Sequence, residues 1–211
     1  MIVSLLRQPD DALSAAAAAV RRGECIVLPT DTVYGIGADA TSAKAVQRLL
    51  DAKQRGRDMP PPVLLPDVAD IETIARDVPE DAYRLAAAFW PGALTLILRA
   101  GMPLDLGDRP DTIAVRVPNH DGARTLLRAT GLLAVSSANL SGRPPATNVN
   151  DAADMLGDAV AVYLDAGQTP GETPSTIVDL SGDGPGRVLR QGVISLDDLR
   201  AVCEDIEALR A

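Results

Sequence analysis

Four clusters of polar and charged residues sit where short apolar runs end, and these are the residues that could do chemistry. The first is Thr30, Asp31, Thr32 and Tyr34, held between Pro29 and the glycines Gly35 and Gly37. The second is Lys53, Arg55 and Arg57. The third, residues 136–141, contains Ser137 and Asn139, and the fourth is Ser175-Thr176. Arg116 and Arg190 add two further charges. Any one of these stretches alone is ordinary loop chemistry, because turns need the same residue types. If they converge, they place guanidinium and ammonium donors beside several hydroxyls, a set that matches an anionic, phosphate-bearing ligand. It does not suit nucleophilic acyl transfer. His120 is the only histidine, so a Ser-His-Asp triad or a histidine-based metal site is close to excluded. Neither a Walker-type phosphate loop nor a well-placed GxGxxG run is present.

The composition sets bounds on the rest. The chain has 211 residues, of which 46% are hydrophobic but only 2% aromatic, so the core must be aliphatic and a stacking platform for single-stranded nucleic acid is disfavoured. A formal net charge of -9 disfavours nonspecific binding to nucleic acid or an anionic membrane, so an anionic ligand must meet a local basic cluster. Cys25 and Cys203 form no CxxC pair or disulfide framework. No stretch approaches the length of a membrane span and no secretory leader stands at the start, so a cytoplasmic protein without a membrane partner is expected.

The elements that must position the clusters read as alternating helices and strands. Helices are expected over residues 10–22, stopped by Gly23, and from a cap at Thr41 or Ser42 through Ala45, Val46, Leu49 and Leu50, the second delivering Lys53 and Arg55 just beyond its end. Two more open at Asp67 and at Pro79, the second ending at Phe89-Trp90. Others are expected from a cap at Asn119 to Thr130, over 151–156, and over 196–209. Strands are expected over residues 25–28, 63–65, 93–98, 112–117, 132–135, 159–164, 175–180 and 187–189, with residues 29–37 as a rigid turn. Strand alternation puts Thr112, Ala114 and Arg116 on one face, and an arginine in so apolar a strand points to a cleft. The expectation is a single α/β domain with a twisted, mixed parallel and antiparallel sheet flanked by helices.

Six stretches in order carry a resemblance. They are Pro29-Thr30-Asp31-Thr32-Val33-Tyr34-Gly35-Ile36-Gly37, Lys53-Gln54-Arg55, Phe89-Trp90-Pro91-Gly92-Ala93-Leu94-Thr95, Ser137-Ala138-Asn139-Leu140-Ser141-Gly142, Ser175-Thr176-Ile177-Val178-Asp179 and Leu189-Arg190-Gln191-Gly192. Together they resemble the motifs of the Sua5/YrdC/YciO family over residues 10–195, and the length resembles its short form. The resemblance implies condensation of L-threonine, bicarbonate or CO2, and ATP into threonylcarbamoyl-AMP, with release of pyrophosphate. The product would pass to a tRNA threonylcarbamoyl transferase complex that modifies adenosine 37. It also implies that Thr32, Arg116 and Ser175 meet threonine, and that Lys53, Arg55, Thr112, Ser137, Asn139 and Arg190 face ATP, with Lys53 and Arg55 acting in catalysis. Mg2+ would bridge phosphate oxygens. No carboxylate stands out as its ligand, and Asp31 reads more readily as a turn-stabilising residue. Three positions depart from the family pattern. Met59 and Pro61 follow the Lys-x-Arg motif where a polar or basic residue is usual, and Leu64 stands where some members carry a threonine-binding histidine. They keep open a YciO-type adenylate-forming enzyme with another substrate. A non-catalytic RNA-binding or ribosome-assembly module is the other alternative, although this acidic chain should touch RNA only weakly.

Overall fold

In a computed structural model of the chain, residues 1–208 are described. The helices are α1 (Pro9–Arg21), α2 (Ala43–Lys53), α3 (Ile71–Ile74), α4 (Glu80–Phe89), α5 (Asp121–Thr130), α6 (Val149–Leu156) and α7 (Leu196–Val202). The strands are β1 (Ile2–Ser4), β2 (Ile26–Leu28), β3 (Gly35–Asp39), β4 (Val63–Leu64), β5 (Ala75–Arg76), β6 (Leu94–Ala100), β7 (Thr112–Arg116), β8 (Leu133–Ser137), β9 (Val162–Asp165), β10 (Thr176–Asp179) and β11 (Arg187–Arg190). They form one mixed sheet in the order β1-β9-β2-β3-β8-β4-β7-β6-β10-β11, with β5 paired to β6 off that path. Parallel pairs (β1 with β9, β2 with β9, β4 with β7, β6 with β10) are mixed with antiparallel ones, as expected for the α/β class.

Alternating side chains sort the core into two layers. On one face, Ile26, Leu28, Leu64, Leu133 and Val135 pack against Ala12, Ala16, Ala19 and Val20 of α1 and Ala123, Leu126 and Leu127 of α5. On the other, Val27, Ile36, Val63, Leu96 and Val115 pack against Ala45, Val46, Leu49 and Leu50 of α2, Ala82, Leu85 and Ala86 of α4, and Val149 and Ala152 of α6. Alanine lets α1 lie close to the sheet, and the core is mainly aliphatic, with Tyr34, Trp90 and Tyr163 as the aromatics buried in its other layer. No helix among the described residues is long and apolar enough to cross a membrane.

Several elements differ from expectation. Gly35 and Gly37 are not turn residues. They belong to β3, which pairs with β2 and β8, and a Cβ on Gly35 would lie 2.6 Å from Val135 Cγ1. Glycine is needed there for close strand packing. The helix from 121 is capped by His120, whose Nδ1 accepts from Ala123 N–H at 3.2 Å, while Asn119 N–H turns to Asp31 Oδ1 at 2.9 Å. Ser42 rather than Thr41 caps α2, and α6 starts at Val149, ahead of the expected 151, with Asn148 as its cap. The expected helix at Asp67 is a 3-10 turn followed by the single turn of α3. The closing helix ends at Val202 because the chain then turns to bond β11, with Val188 N–H donating to Glu207 O at 3.0 Å. Leu209, the expected end of that helix, lies outside the described residues.

Candidate functional site

The adjacent strands β3, β8, β4, β7, β6, β10 and β11 each lend at least one residue to the lining of a single cleft of about 490 Å3. All four polar clusters reach it, through Thr30 and Thr32, Arg55, Ser136 to Asn139, and Ser175, and Arg116 and Arg190 complete the set. Met59, Pro60, Pro61, Pro62 and Leu106 make an apolar wall. Its charge is opposite to that of the whole chain: Arg55, Arg109, Arg116, Arg143 and Arg190 line it, with Asp58 the sole carboxylate. A low-dielectric trough of one sign concentrates anions even in an acidic protein. A second groove of about 680 Å3 lies behind the 30–34 loop, between Asp31, His120, Phe89 and Trp90, and no lysine or arginine lines it.

Arg116 ends β7 on the face shared with Thr112 and Ala114, and all three line the cleft as strand alternation requires. It is 6% exposed. Its Nε donates to Gly92 O at 2.9 Å, Nη1 to Thr32 Oγ1 at 3.0 Å, and Nη2 to Asp31 Oδ1 at 2.6 Å. Burial pushes the guanidinium below its ordinary value, and Asp31 acts in the opposite sense. A guanidinium has five N–H groups, so one on each Nη remains for a ligand. Asp31 is therefore the partner that holds Arg116 and also ties down Asn119, a stronger role than turn stabilisation.

The hydroxyl protons of the loop can be placed by elimination. Thr30 Oγ1 donates to Val33 O at 2.7 Å, so in its 3.1 Å contact with Thr32 Oγ1 the proton comes from Thr32. Thr32 Oγ1 also accepts from Arg116, which leaves it a lone pair and no proton. Toward a ligand, Thr32 is an acceptor.

Arg190 donates through Nε and Nη2 to Ser175 O at 3.1 and 2.8 Å, and through Nη2 to Ser175 Oγ at 3.1 Å. Ser175 Oγ in turn contacts Thr95 Oγ1 at 2.8 Å. Arg55 Nη1 donates to Ser136 Oγ at 2.9 Å, while its Nε is buried without a hydrogen-bond partner. An orphaned guanidinium N–H in a basic cleft is a vacancy an anion's oxygen would satisfy. Burial lowers the pKa of both arginines, and Arg116 and Arg55 lower that of Arg190 further, so the three guanidinia share one field. The hydroxyls of Thr112 and Ser137 line the cleft and make no hydrogen bond among the described residues.

Lys53 is placed differently. It is 2% exposed, and it is absent from the cleft wall. Its ammonium donates to Ser137 O, to Asn139 O at 2.8 Å and to Asn139 Oδ1 at 3.5 Å. Ser141 N–H returns a bond to Lys53 O at 2.9 Å. The residue staples the end of α2 to the loop after β8, which carries Ser137 and Asn139. Burial, then Arg55, pushes its pKa down to about 8. Asn139 also supports that loop, donating to Leu140 O and Arg143 O at 2.8 Å each. Arg57 stays out of the cleft and pairs with Asp105 and Asp108.

Sequence reasoning missed Thr95, Arg109 and Arg143 as lining residues. Thr95 was detectable as a hydroxyl inside an apolar run, but the two arginines sit on loops with no periodicity to mark them. Of the departing positions, Met59, Pro61 and Leu64 all line the cleft as apolar surface. No group of three or more His, Cys, Asp or Glu that could hold a metal occurs among the described residues. With Asp58 the one carboxylate in its lining, the cleft offers no protein cage for a divalent cation.

The Sua5/YciO/YrdC family model, described as telomere recombination, matches residues 18–192. The chain belongs to this family. A Mycobacterium tuberculosis relative, provisionally named as a threonylcarbamoyl-AMP synthase, is 50% identical over 89% of this chain and 87% of its own length. The Bacillus subtilis threonylcarbamoyl-AMP synthase is 39% identical over 92% of this chain and 57% of its own. The crystal structure of Pyrococcus abyssi Sua5 complexed with L-threonine superposes with a TM-score of 0.91 at 33% identity. That match covers 99% of this chain and 62% of the Sua5 chain, so the present sequence spans somewhat under two thirds of that protein.

Proposed function

We propose that this member of the Sua5/YciO/YrdC family condenses L-threonine, bicarbonate or CO2, and ATP into threonylcarbamoyl-AMP, and that the product serves threonylcarbamoylation of tRNA adenosine 37. The observation that carries this reading is the convergence of Arg55, Arg116 and Arg190 on one cleft, with Arg55 Nε unpartnered. The names of its relatives and the threonine held by the Pyrococcus abyssi protein support the choice of substrates.

The chemistry needs no protein nucleophile. The threonine amine takes up CO2 and loses a proton, giving a carbamate. A carbamate oxygen attacks the α-phosphorus of ATP, a P–O bond forms, and the bond to the β-phosphate breaks to release pyrophosphate. The protein aligns the reactants and offsets charge on the phosphate oxygens. The remaining Arg116 N–H groups suit the threonine carboxylate, and the Thr32 lone pair suits its hydroxyl or amine. Arg55 Nε and Nη2 suit a phosphate oxygen, helped by Ser137, Thr112 and Arg190. The proline-rich wall with Met59 and Leu106 suits the nucleobase. Magnesium, where bound, would neutralise phosphate charge.

The test is pyrophosphate release from ATP. Release that requires both threonine and bicarbonate supports the proposal. Release with another amino acid but not threonine, or none at all from folded protein, overturns it.

A further inference from the structure

Arg109 and Arg143 come to the cleft from two separate loops, one between β6 and β7 and one after β8. Both are exposed, and neither forms an ion pair or a side-chain hydrogen bond with any described residue. Elsewhere on the surface Arg22, Arg76, Arg84 and Arg128 are each neutralised by a carboxylate; Arg7 and Arg21 are exposed without an ion pair but stand away from the cleft, so what sets Arg109 and Arg143 apart is that both line it.

The Arg109 loop is itself acidic, and two of its three carboxylates, those of Asp105 and Asp108, are drawn the other way, while Asp111 stays exposed. Arg57 pairs with Asp105 and Asp108, and its carbonyl accepts from Asp108 N–H at 2.9 Å. Gly107 lies so close beneath that a Cβ would stand 2.5 Å from Arg57 O. The loop is thus fastened through Asp105 and Asp108, and Arg109 is the charge it presents to the cleft. The root of Arg143 is equally fixed, since its N–H donates to Leu140 O at 3.0 Å and its carbonyl accepts from Asn139. Anchored backbone with unengaged guanidinium arms is a prepared anion site, because little ordering is left for binding to impose except in the arms.

The inner guanidinia have limited capacity. Arg116 spends three of its five N–H groups on Gly92, Thr32 and Asp31, which leaves two, enough for one carboxylate, while Arg55 and Arg190, partly engaged by Ser136 and Ser175, face the reacting phosphoryl group in the ATP reading. A nucleoside triphosphate carries two phosphoryl groups more.

We propose that Arg109 and Arg143 form an outer anion subsite that holds the polyphosphate tail of the nucleotide and then the pyrophosphate released from it. This rests on the ATP reading above. The inner arginines act on the reacting centre, and the outer pair, being exposed, can follow the leaving group toward solvent.

The experiment is calorimetric titration of wild type, Arg109→Ala, Arg143→Ala and the double variant with ATP, AMP and inorganic tripolyphosphate, with thermal melts to confirm that each is folded. Both sites are exposed, so the fold should tolerate the changes. Each single variant should weaken ATP and tripolyphosphate at least fivefold and leave AMP within twofold, and the double variant should lose more than either. Wild-type affinity for ATP and tripolyphosphate in the variants, or an equal loss for AMP, would overturn the subsite and leave the ATP reading standing. A wild type that binds neither ATP nor tripolyphosphate would remove both.

Discussion

Replacing Lys53 with methionine keeps the length of the side chain and removes its charge. The buried carbonyl Asn139 O then loses its donor, while Ser137 O keeps the bond it accepts from Asn139 N–H at 2.9 Å. Leaving a buried acceptor unpaired costs about 1–3 kcal/mol. Against this, wild type holds an ammonium in a nearly dry site with only neutral acceptors, and burial has pushed its pKa from 10.5 down to about 8. A lysine with a depressed folded-state pKa binds its proton more weakly folded than unfolded. Its charge therefore destabilises the fold below about pH 8, and stability recovers as pH rises toward the unfolded value of 10.5. At neutral pH the two effects oppose, so Lys53→Met should lose only about 1–3 kcal/mol, or roughly 2–10 °C in a chain of this size. Between about pH 7.5 and 9.5, the wild-type advantage should widen by about 1–2 kcal/mol, because only wild type has this proton to release. Urea unfolding of both proteins at the two pH values measures the difference directly, and the titrations they share cancel. A gap that stays constant or narrows would refute the placement of Lys53 as a buried staple.

Arg55→Ala should lower pyrophosphate release at least tenfold in a folded protein, since losing one transition-state donor costs about 2–4 kcal/mol; near-normal turnover counts against Arg55 at the phosphate. Thr32→Val should raise the KM for threonine much more than that for ATP, and equal damage to both would move Thr32 to the nucleotide side. Arg116→Lys keeps the charge but not the fork that meets Asp31, Thr32 and Gly92, so threonine titration should show a clear rise in KM, with superimposable curves as the refuting result. Gly35→Ala sets a Cβ against Val135 and should cost about 1–3 kcal/mol in chemical denaturation, and a neutral outcome would show that β3 and β8 can separate freely.

The parts of the fold legible in sequence were those with strong periodicity. The stripe of α2 gave the element and the face that meets the core, and the alternation of β7 gave the element and the face of Thr112, Ala114 and Arg116 in the cleft. The strands β1 and β5 were not legible, being three and two residues long, where pairing with β9 and β6 decides and local pattern carries little. Gly35 and Gly37 misled because glycine serves turns and close packing alike, and only the neighbour, Val135, tells which. At the site, residue types were legible and partners were not. The Lys53 charge suggested a phosphate contact, but its hydrogen bonds run to carbonyls far along the chain. Asp31 and Arg116 are 85 residues apart, and no local rule announces such a pair.

Seven neighbouring strands contribute to the cleft, and they are drawn from chain positions between 35 and 190. Two of the pairings beneath it, β4 with β7 and β6 with β10, are parallel and join distant segments. Loops of that length close slowly, and their contacts repay the closure only when the sheet is whole. No contiguous stretch of the chain owns a recognisable half of the cleft, so a proteolytic fragment would carry none of the binding. Ligand affinity and global unfolding should thus report one cooperative event, and bound substrate would protect the whole sheet, not one lobe of it, against denaturation.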